Sequence, residues 1–564
     1  MNSKPQGYNH GMVLVLILAV TFCAFSYTLH NGLTNWDDGA HLWGNPMVRS
    51  LSLENIVRIF TTDTARNYIP LTILSFAIEY HWFGLNPLVY HLTNLVLHMT
   101  VVGLLFLLAL RMGLSVIGAG LAALLFGIHP LHVESVAWVT ERKDVLYAFF
   151  YMLALISWWS YITAGRRMSY VYSILFGALS VLAKPMALSL PLVLCLFDWL
   201  RQRPLRQTVI EKIPHVLCIV PIVGVTFILN ARLPDLSGGG GHSVLIWLWT
   251  FTFYLQKLFW PWTLVPLYDL PYPVSFLNPP YLGALATAGI LAVVMIRFRR
   301  DRWLWFALGF YFLSIFFLLR FDAGKDISFV ADRFMYLPSA GIFLWLGQKA
   351  GGFLESAALK HKQVGVSVLI SVLALLSVKT YAQTKIWEND FLLWDHVVRH
   401  SPRQAIAFLN RGTVLSDAGL LDAAIADLTR AIILDPKMPA AYTDRGNIFA
   451  NLGKTDLALT DYEQALRADP QFAGALNSRG ALYARMGNLD AAFADFNRAV
   501  MLEPQSPLAY FNRGNVSWQK NDKDAALADY NAAIRLDSYF AAAQAMRAQV
   551  LSGQVPGSSA LPGF

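Results

Sequence analysis

The chain has 564 residues, of which 56% are hydrophobic and 14% charged. Soluble domains carry about a quarter charged residues, so a wholly soluble globular protein is excluded. The net charge of +8 is unevenly placed: residues 405–538 hold 13 Lys/Arg and 16 Asp/Glu, a balance of −3, which leaves +11 on the remainder. A basic half built on apolar runs follows the positive-inside rule and argues against nucleic-acid binding.

A spanning helix needs about 20 apolar residues, because lipid offers no partner to unpaired backbone groups. Runs that meet or approach this length lie at 11–29, 86–110, 114–128, 145–164, 169–183, 186–200, 213–231, 280–296, 303–320, 338–350 and 364–381. The first, Met12–Leu29, lacks a small-x-small cleavage site and reads as an uncleaved anchor. Eleven spans put Arg111, Arg166/Arg167, Arg201/Arg203/Arg206, Arg297/Arg299/Arg300/Arg302 and Lys360/Lys362 on the cytoplasmic side. The segments 30–85, 129–144, 232–279 and 321–337, with everything after 382, then lie outside. The run Val244–Trp260 is interfacial or re-entrant in this scheme. If it spans, the count becomes twelve and the C-terminal region becomes cytoplasmic. Cys23, Cys195 and Cys218 all fall in apolar runs, so no disulfide framework is expected.

Beyond residue 404 the pattern changes to a 34-residue repeat. Arg-Gly recurs at 411/412, 445/446, 479/480 and 513/514. Pro402, Pro436, Pro470 and Pro504 keep the period, as do Ala424, Ala458, Ala492 and Ala526. Two helices per unit, packed through small residues and ended by proline, account for this and match the tetratricopeptide repeat. The expected organisation is all-α: a transmembrane domain over 1–382, a degenerate repeat or connector over 383–404, repeats with a capping helix over 405–551, and a disordered tail over 552–564. Such solenoids hold extended peptides on a concave face. Asn447, Asn477 and Asn515 are candidates there, since amides pair with any peptide backbone; solvated surface positions are the equal alternative.

Charged groups collect on the outer side. They include Asp37-Asp38, Arg66, Glu79, Glu134, Glu141-Arg142-Lys143-Asp144, Lys184, Lys257, Arg320, Lys325, Asp332 and Arg333. Charges at the membrane edge cost about 2.5–3.5 kcal/mol each and mark function by default. Basic groups kept there against the positive-inside trend call for an anion, and a lipid phosphate is the natural one. His129 and His132 have no known zinc spacing and read as polar packing at a helix start in preference to a metal site. Gly238–Gly241 lacks the following Lys-Ser/Thr of a phosphate cradle and reads as a loop.

Taken in order, Asp37-Asp38, Tyr68-Ile69-Pro70-Leu71, Tyr90-His91-Leu92-Thr93-Asn94 with His98, His129-Pro130-Leu131-His132-Val133-Glu134-Ser135-Val136, Arg142-Lys143-Asp144, Lys184 and Asp332–Ser339 form a pattern. It resembles the transmembrane O-mannosyltransferases with tetratricopeptide repeats, multispanning glycosyltransferases of the GT-C class, in a bacterial-type form. The resemblance covers nearly the whole chain. It departs at Asp332, where Glu stands in the family, and at Ile69, where Arg is usual.

The resemblance implies a sugar taken from a polyprenyl-phosphate carrier and passed to a protein hydroxyl on the non-cytoplasmic side. It implies Asp37 or Asp38 as base and Arg142, Lys143, Lys184 and Arg333 as the phosphate clamp. His129, His132, Glu134 and Asp332 support these, and the repeats hold the acceptor. No cofactor is expected, with a divalent metal left open. A bacterial inner membrane with periplasmic repeats is the expected location. The competing reading is a non-catalytic membrane-anchored scaffold for envelope proteins.

Overall fold

The computed structural model describes residues 9–64, 67–230, 243–319, 330–537 and 539–553. The expected outer charges Arg66, Arg320 and Lys325, the run Gly238–Gly241 and the tail from 554 lie outside the described residues. The described chain is helical without a strand; one isolated bridge joins Thr64 and Asn67. It divides into two units, Met1–Ser401 and Pro402–Phe564.

Among the described residues of the first unit, six helices are long and apolar enough to cross a membrane: His10–His30, Pro87–Arg111, Val139–Ala164, Leu205–Val225, Pro279–Arg297 and Leu359–Trp387. A seventh is the broken pair Val116–Gly127 and Pro130–Ala137, bent by 50°. The bend follows from Pro130, which cannot donate to the preceding turn. The expected count of about eleven therefore meets six such helices, or seven with the bent pair. Arg167–Ala183, Pro185–Leu200, Val244–Phe259 and Arg302–Leu318 are shorter apolar helices. Val244–Phe259 has 16 residues, about 24 Å of helix at 1.5 Å per residue, short of a hydrocarbon core of about 30 Å.

Close backbone approach knits this unit together. The helix 116–127 packs on 339–356 where Gly118 meets Gly347 and Gly351. A Cβ on Gly347 would stand 2.4 Å from the Gly118 carbonyl oxygen, and one on Gly351 2.6 Å from the Gly118 Cα. Small residues at such a crossing let two helices gain packing that lipid, itself apolar, does not drive. Of the expected connector 383–404, the part up to Ser401 belongs to the first unit and Pro402 opens the second. Its helix Asp390–His400 sends Trp394 Nε1 to Asn35 Oδ1 at 2.8 Å and His396 Nε2 to the Leu264 carbonyl at 2.9 Å.

The second unit is four helix pairs and a last helix: 405–417 with 421–434, 439–451 with 455–468, 473–485 with 489–502, 507–519 with 523–536, then 541–551. The glycine of each Arg-Gly lies against the second helix. A Cβ on Gly446 would meet the Tyr462 ring at 2.7 Å, and one on Gly514 the Tyr530 ring at 2.9 Å. The arginine beside it reaches an aspartate 16 residues on. Arg411, Arg445, Arg479 and Arg513 bind Asp427, Asp461, Asp495 and Asp529, each through Nε and Nη2 at 2.7–2.9 Å. One sequence motif thus supplies both the close contact and the ion pair that locks it.

Candidate active site

The loop after the first long helix is pinned from both sides. Asn31 Nδ2 donates to the Thr384 carbonyl at 3.1 Å, and the Asn35 N–H donates to Asp390 Oδ1 at 2.7 Å. Between these anchors the two adjacent carboxylates part. Asp38 is fully buried. Its Oδ2 accepts from the Thr34 N–H at 2.8 Å and the Thr34 hydroxyl at 3.0 Å. Its Oδ1 accepts from the Thr140 N–H at 3.0 Å and from the Thr140 hydroxyl. Burial raises its pKa against the pull of those bonds. Asp37 is half-buried, and its carboxylate makes no hydrogen bond among the described residues. A single π-turn, Gly39–Trp43, follows, closed by Gly44 N–H on the Gly39 carbonyl at 2.8 Å. Isolated π-turns recur at functional sites.

Three of the four expected clamp residues come together. Lys143 Nζ lies 3.0 Å from Glu141 Oε1, Lys184 Nζ 3.4 Å from Glu141 Oε2 and Arg333 Nε 3.4 Å from Glu141 Oε1. They come from a helix start, a helix end and a distant loop, and one buried carboxylate gathers them. Lys184 also meets Asp144 at 2.5 Å, and Arg333 pairs with Glu134. Burial works to lower the Arg333 pKa, but Glu134 and Glu141 hold it above its usual value. The Trp138 ring lies beneath, 5.6 Å from the Arg333 guanidinium and 5.9 Å from Lys143 Nζ. Trp138 itself stacks on Trp36 at 4.5 Å. His41 lies within electrostatic reach of Lys143, Asp37 and Glu141, which joins the acid loop to the cations.

Arg142 lies elsewhere. It is wholly buried, paired with Glu79, donating to Asn94 Oδ1 at 2.8 Å and to the Tyr90 carbonyl at 2.9 Å. Successive helix positions diverge by about 100°, so the neighbours Arg142 and Lys143 face different surroundings.

Of the supporting residues, Glu134 binds the clamp directly. Asp332 accepts from Tyr268 OH at 2.8 Å, and burial, then Glu134, lifts its pKa well above the usual range. His129 and His132 spend their ring nitrogens on packing. His129 Nε2 meets the Leu258 carbonyl at 2.9 Å and Nδ1 accepts from the Leu131 N–H. His132 meets the Phe126 carbonyl at 2.7 Å and Ser339 Oγ at 3.0 Å. In the repeats, Asn447 Oδ1 and Asn515 Oδ1 each accept from a tyrosine of the paired helix, Tyr462 and Tyr530, at 2.8 Å. Asn515 is fully buried, while Asn477 Oδ1 is buried with no partner.

Thr34, Thr140 and Trp138 were not legible as site residues. Thr34 and Trp138 bear no charge and stand in no motif that marks chemistry, and Thr140 acts only through a partner about a hundred positions away. The comparisons add an independent line. Residues 446–487 match a TPR-repeat family model and 485–541 a second, tetratricopeptide-repeat model. A protein O-mannosyl-transferase of Caenorhabditis elegans is 25% identical over 466 residues, covering 77% of this chain and 64% of its own. Protein O-mannosyl-transferase TMTC3 of Mus musculus is 24% identical, covering 70% of this chain and 46% of its own.

The chain is thus similar to proteins named protein O-mannosyl-transferase over most of its length and to tetratricopeptide-repeat models in its C-terminal part. A Drosophila melanogaster member is 30% identical over 184 residues, 31% of this chain. The chain spans about half to two thirds of the length of the first relatives named. A solved structure of pilF of Pseudomonas aeruginosa overlaps 27% of this chain and 71% of its own at 22% identity, with a TM-score of 0.26.

Proposed function

We propose that this chain is a membrane glycosyltransferase that moves mannose from a polyprenyl-phosphate carrier to a hydroxyl of a protein acceptor on the non-cytoplasmic side. The observation that carries it is the convergence of Lys143, Lys184 and Arg333 on Glu141, with Lys143 and Arg333 at the Trp138 ring on which Trp36 of the Asp37-bearing loop stacks. Three fixed cations suit one phosphate, and the names of the relatives supply the sugar and the protein acceptor.

In this reading the donor phosphate replaces Glu141 as the partner of the three cations. The acceptor hydroxyl oxygen forms a bond to sugar C1. The bond from C1 to the phosphate oxygen breaks, and its electron pair leaves with the phosphate. The hydroxyl proton passes to the Asp37 carboxylate, which makes no other hydrogen bond among the described residues. The cations stabilise charge that grows on the leaving phosphate. Such a leaving group calls for no general acid and no metal. Asp38 holds the loop through Thr34 and Thr140 and keeps Asp37 in place. The repeats hold the acceptor chain.

Purified protein given labelled polyprenyl-phosphate mannose and an envelope-protein extract tests this. Label in protein from the wild type, and none from D37N, is the expected result. Equal label from both would overturn it and leave the scaffold reading.

A further inference from the structure

Two buried polar atoms beside the clamp have no hydrogen-bond partner among the described residues: Trp138 Nε1 and His41 Nε2. Trp138 is 1% exposed and His41 1%. An unpaired buried polar group costs about 1–3 kcal/mol, so two near one site are a signal. They are complementary. Indole Nε1–H can only donate. His41 Nδ1 lies 3.0 Å from the Asp37 carbonyl oxygen, which can only accept, so the proton sits on Nδ1 and Nε2 presents a lone pair. Burial, then Lys143, lowers the His41 pKa, while Asp37 and Glu141 pull the other way.

The loop of His41 packs directly on the segment of Trp138: Trp36 stacks on the Trp138 ring at 4.5 Å, and Asp38 Oδ1 accepts from the Thr140 N–H at 3.0 Å. The Trp138 ring is in turn 5.9 Å from Lys143 Nζ. The π-turn Gly39–Trp43 sets the His41 ring: it keeps Nδ1 on the turn's own entry and leaves Nε2 over. A Cβ on Gly39 would stand 3.2 Å from the Trp43 ring, a tight contact within the same turn.

A phosphate oxygen would suit Trp138 but not His41, whose lone pair repels it. A hydroxyl both donates and accepts and suits the two together. The hydroxyls that a phosphate clamp brings with it are those of the sugar esterified to that phosphate. We propose that Trp138 and His41 form a subsite that reads one hydroxyl of the transferred sugar, Nε1–H donating to it and Nε2 accepting from it. This rests on the glycosyltransferase reading above.

The test is binding to the purified full chain, without acceptor, of polyprenyl-phosphate mannose and of bare polyprenyl phosphate. Wild type should hold the mannosylated lipid more tightly. H41A and W138F should each lose roughly ten-fold of that preference, the scale of one hydrogen bond, with bare-lipid affinity changed only a few-fold. H41Q, which restores an acceptor in place of Nε2, should recover most of it. One deoxymannose donor should show the same loss in wild type and no further loss in either variant. Variants that keep the preference, or that weaken both lipids equally, overturn the subsite and leave the glycosyltransferase reading standing. If wild type binds neither lipid, both fall. Loss that shows only when acceptor is added would assign these atoms to the acceptor hydroxyl and overturn the sugar subsite.

Discussion

Arg333 donates its backbone N–H to Glu134, 199 residues earlier in the chain, at 3.0 Å, and its guanidinium closes on the same carboxylate. Main chain and side chain together fix the loop before residue 339 on the bent helix 133–137. A guanidinium held this way is pre-set in direction, which favours a fixed electrostatic role over a flexible one.

The two adjacent aspartates should behave differently. D37N is expected to lower turnover about 10²-fold or more, the scale of a general base, with the melting temperature unchanged. D38N sets an amide N–H against hydroxyl and backbone donors that now meet a carboxylate. It should lower the melting temperature, and activity only through that loss. Paired thermal and transfer assays on both variants decide; a normal turnover for folded D37N moves the base elsewhere.

The basic residues should also separate. K143Q, K184Q and R333Q each remove a group expected to face the phosphate, and each should cost about 10²–10³ in turnover. R142M leaves Glu79 buried and unpaired, a change worth about 3–5 kcal/mol of stability. It should be read in yield and unfolding, with little effect on the catalytic constant of whatever folds.

Glu141 stands between three cations in the donor-free protein. E141Q is expected to lower the melting temperature without ligand, because the cations then repel one another. Polyprenyl phosphate should restore it by a larger shift than in wild type, since bound ligand stabilises by mass action. An equal shift in both proteins would remove Glu141 from the clamp.

Asp332 gives a pH prediction. Its folded pKa is raised well above the usual value, first by burial and then by Glu134. The folded state therefore holds the proton more tightly than the unfolded chain. Its contribution to stability is full below the unfolded pKa of about 3.9 and is lost as pH rises through the folded value. D332N can still accept from Tyr268 OH and should flatten that decline. A melting-temperature profile unchanged in slope between acidic and neutral pH would contradict this.

Chain ending at Ser401 matches the boundary between the two units. It should fold, bind the lipid donor and hydrolyse it slowly, yet lose transfer to a protein acceptor, because tethering raises local acceptor concentration. Full transfer to a protein acceptor by the shortened chain would assign the repeats another task.

The residues alone determined the all-α class, the division into an apolar region and a solenoid, and the repeat length, because period and composition are local properties that lipid and helix packing impose directly. The four Arg–Asp pairs of the solenoid were implicit in the same period, an arginine and an aspartate 16 residues apart in every unit. Candidate charges among the apolar runs were legible for a related reason: they are costly where they stand. What only the tertiary structure decided is how those charges are shared out. Lys143, Lys184 and Arg333 meet on Glu141 while Arg142 turns to Glu79. Asp38 is consumed by two threonines while Asp37 is not, and Trp138 and His41 are left with open valences. Adjacent residues on a helix or turn diverge by a large angle, and their partners lie tens to hundreds of positions away. No local pattern carries that information; the packing of the helices does.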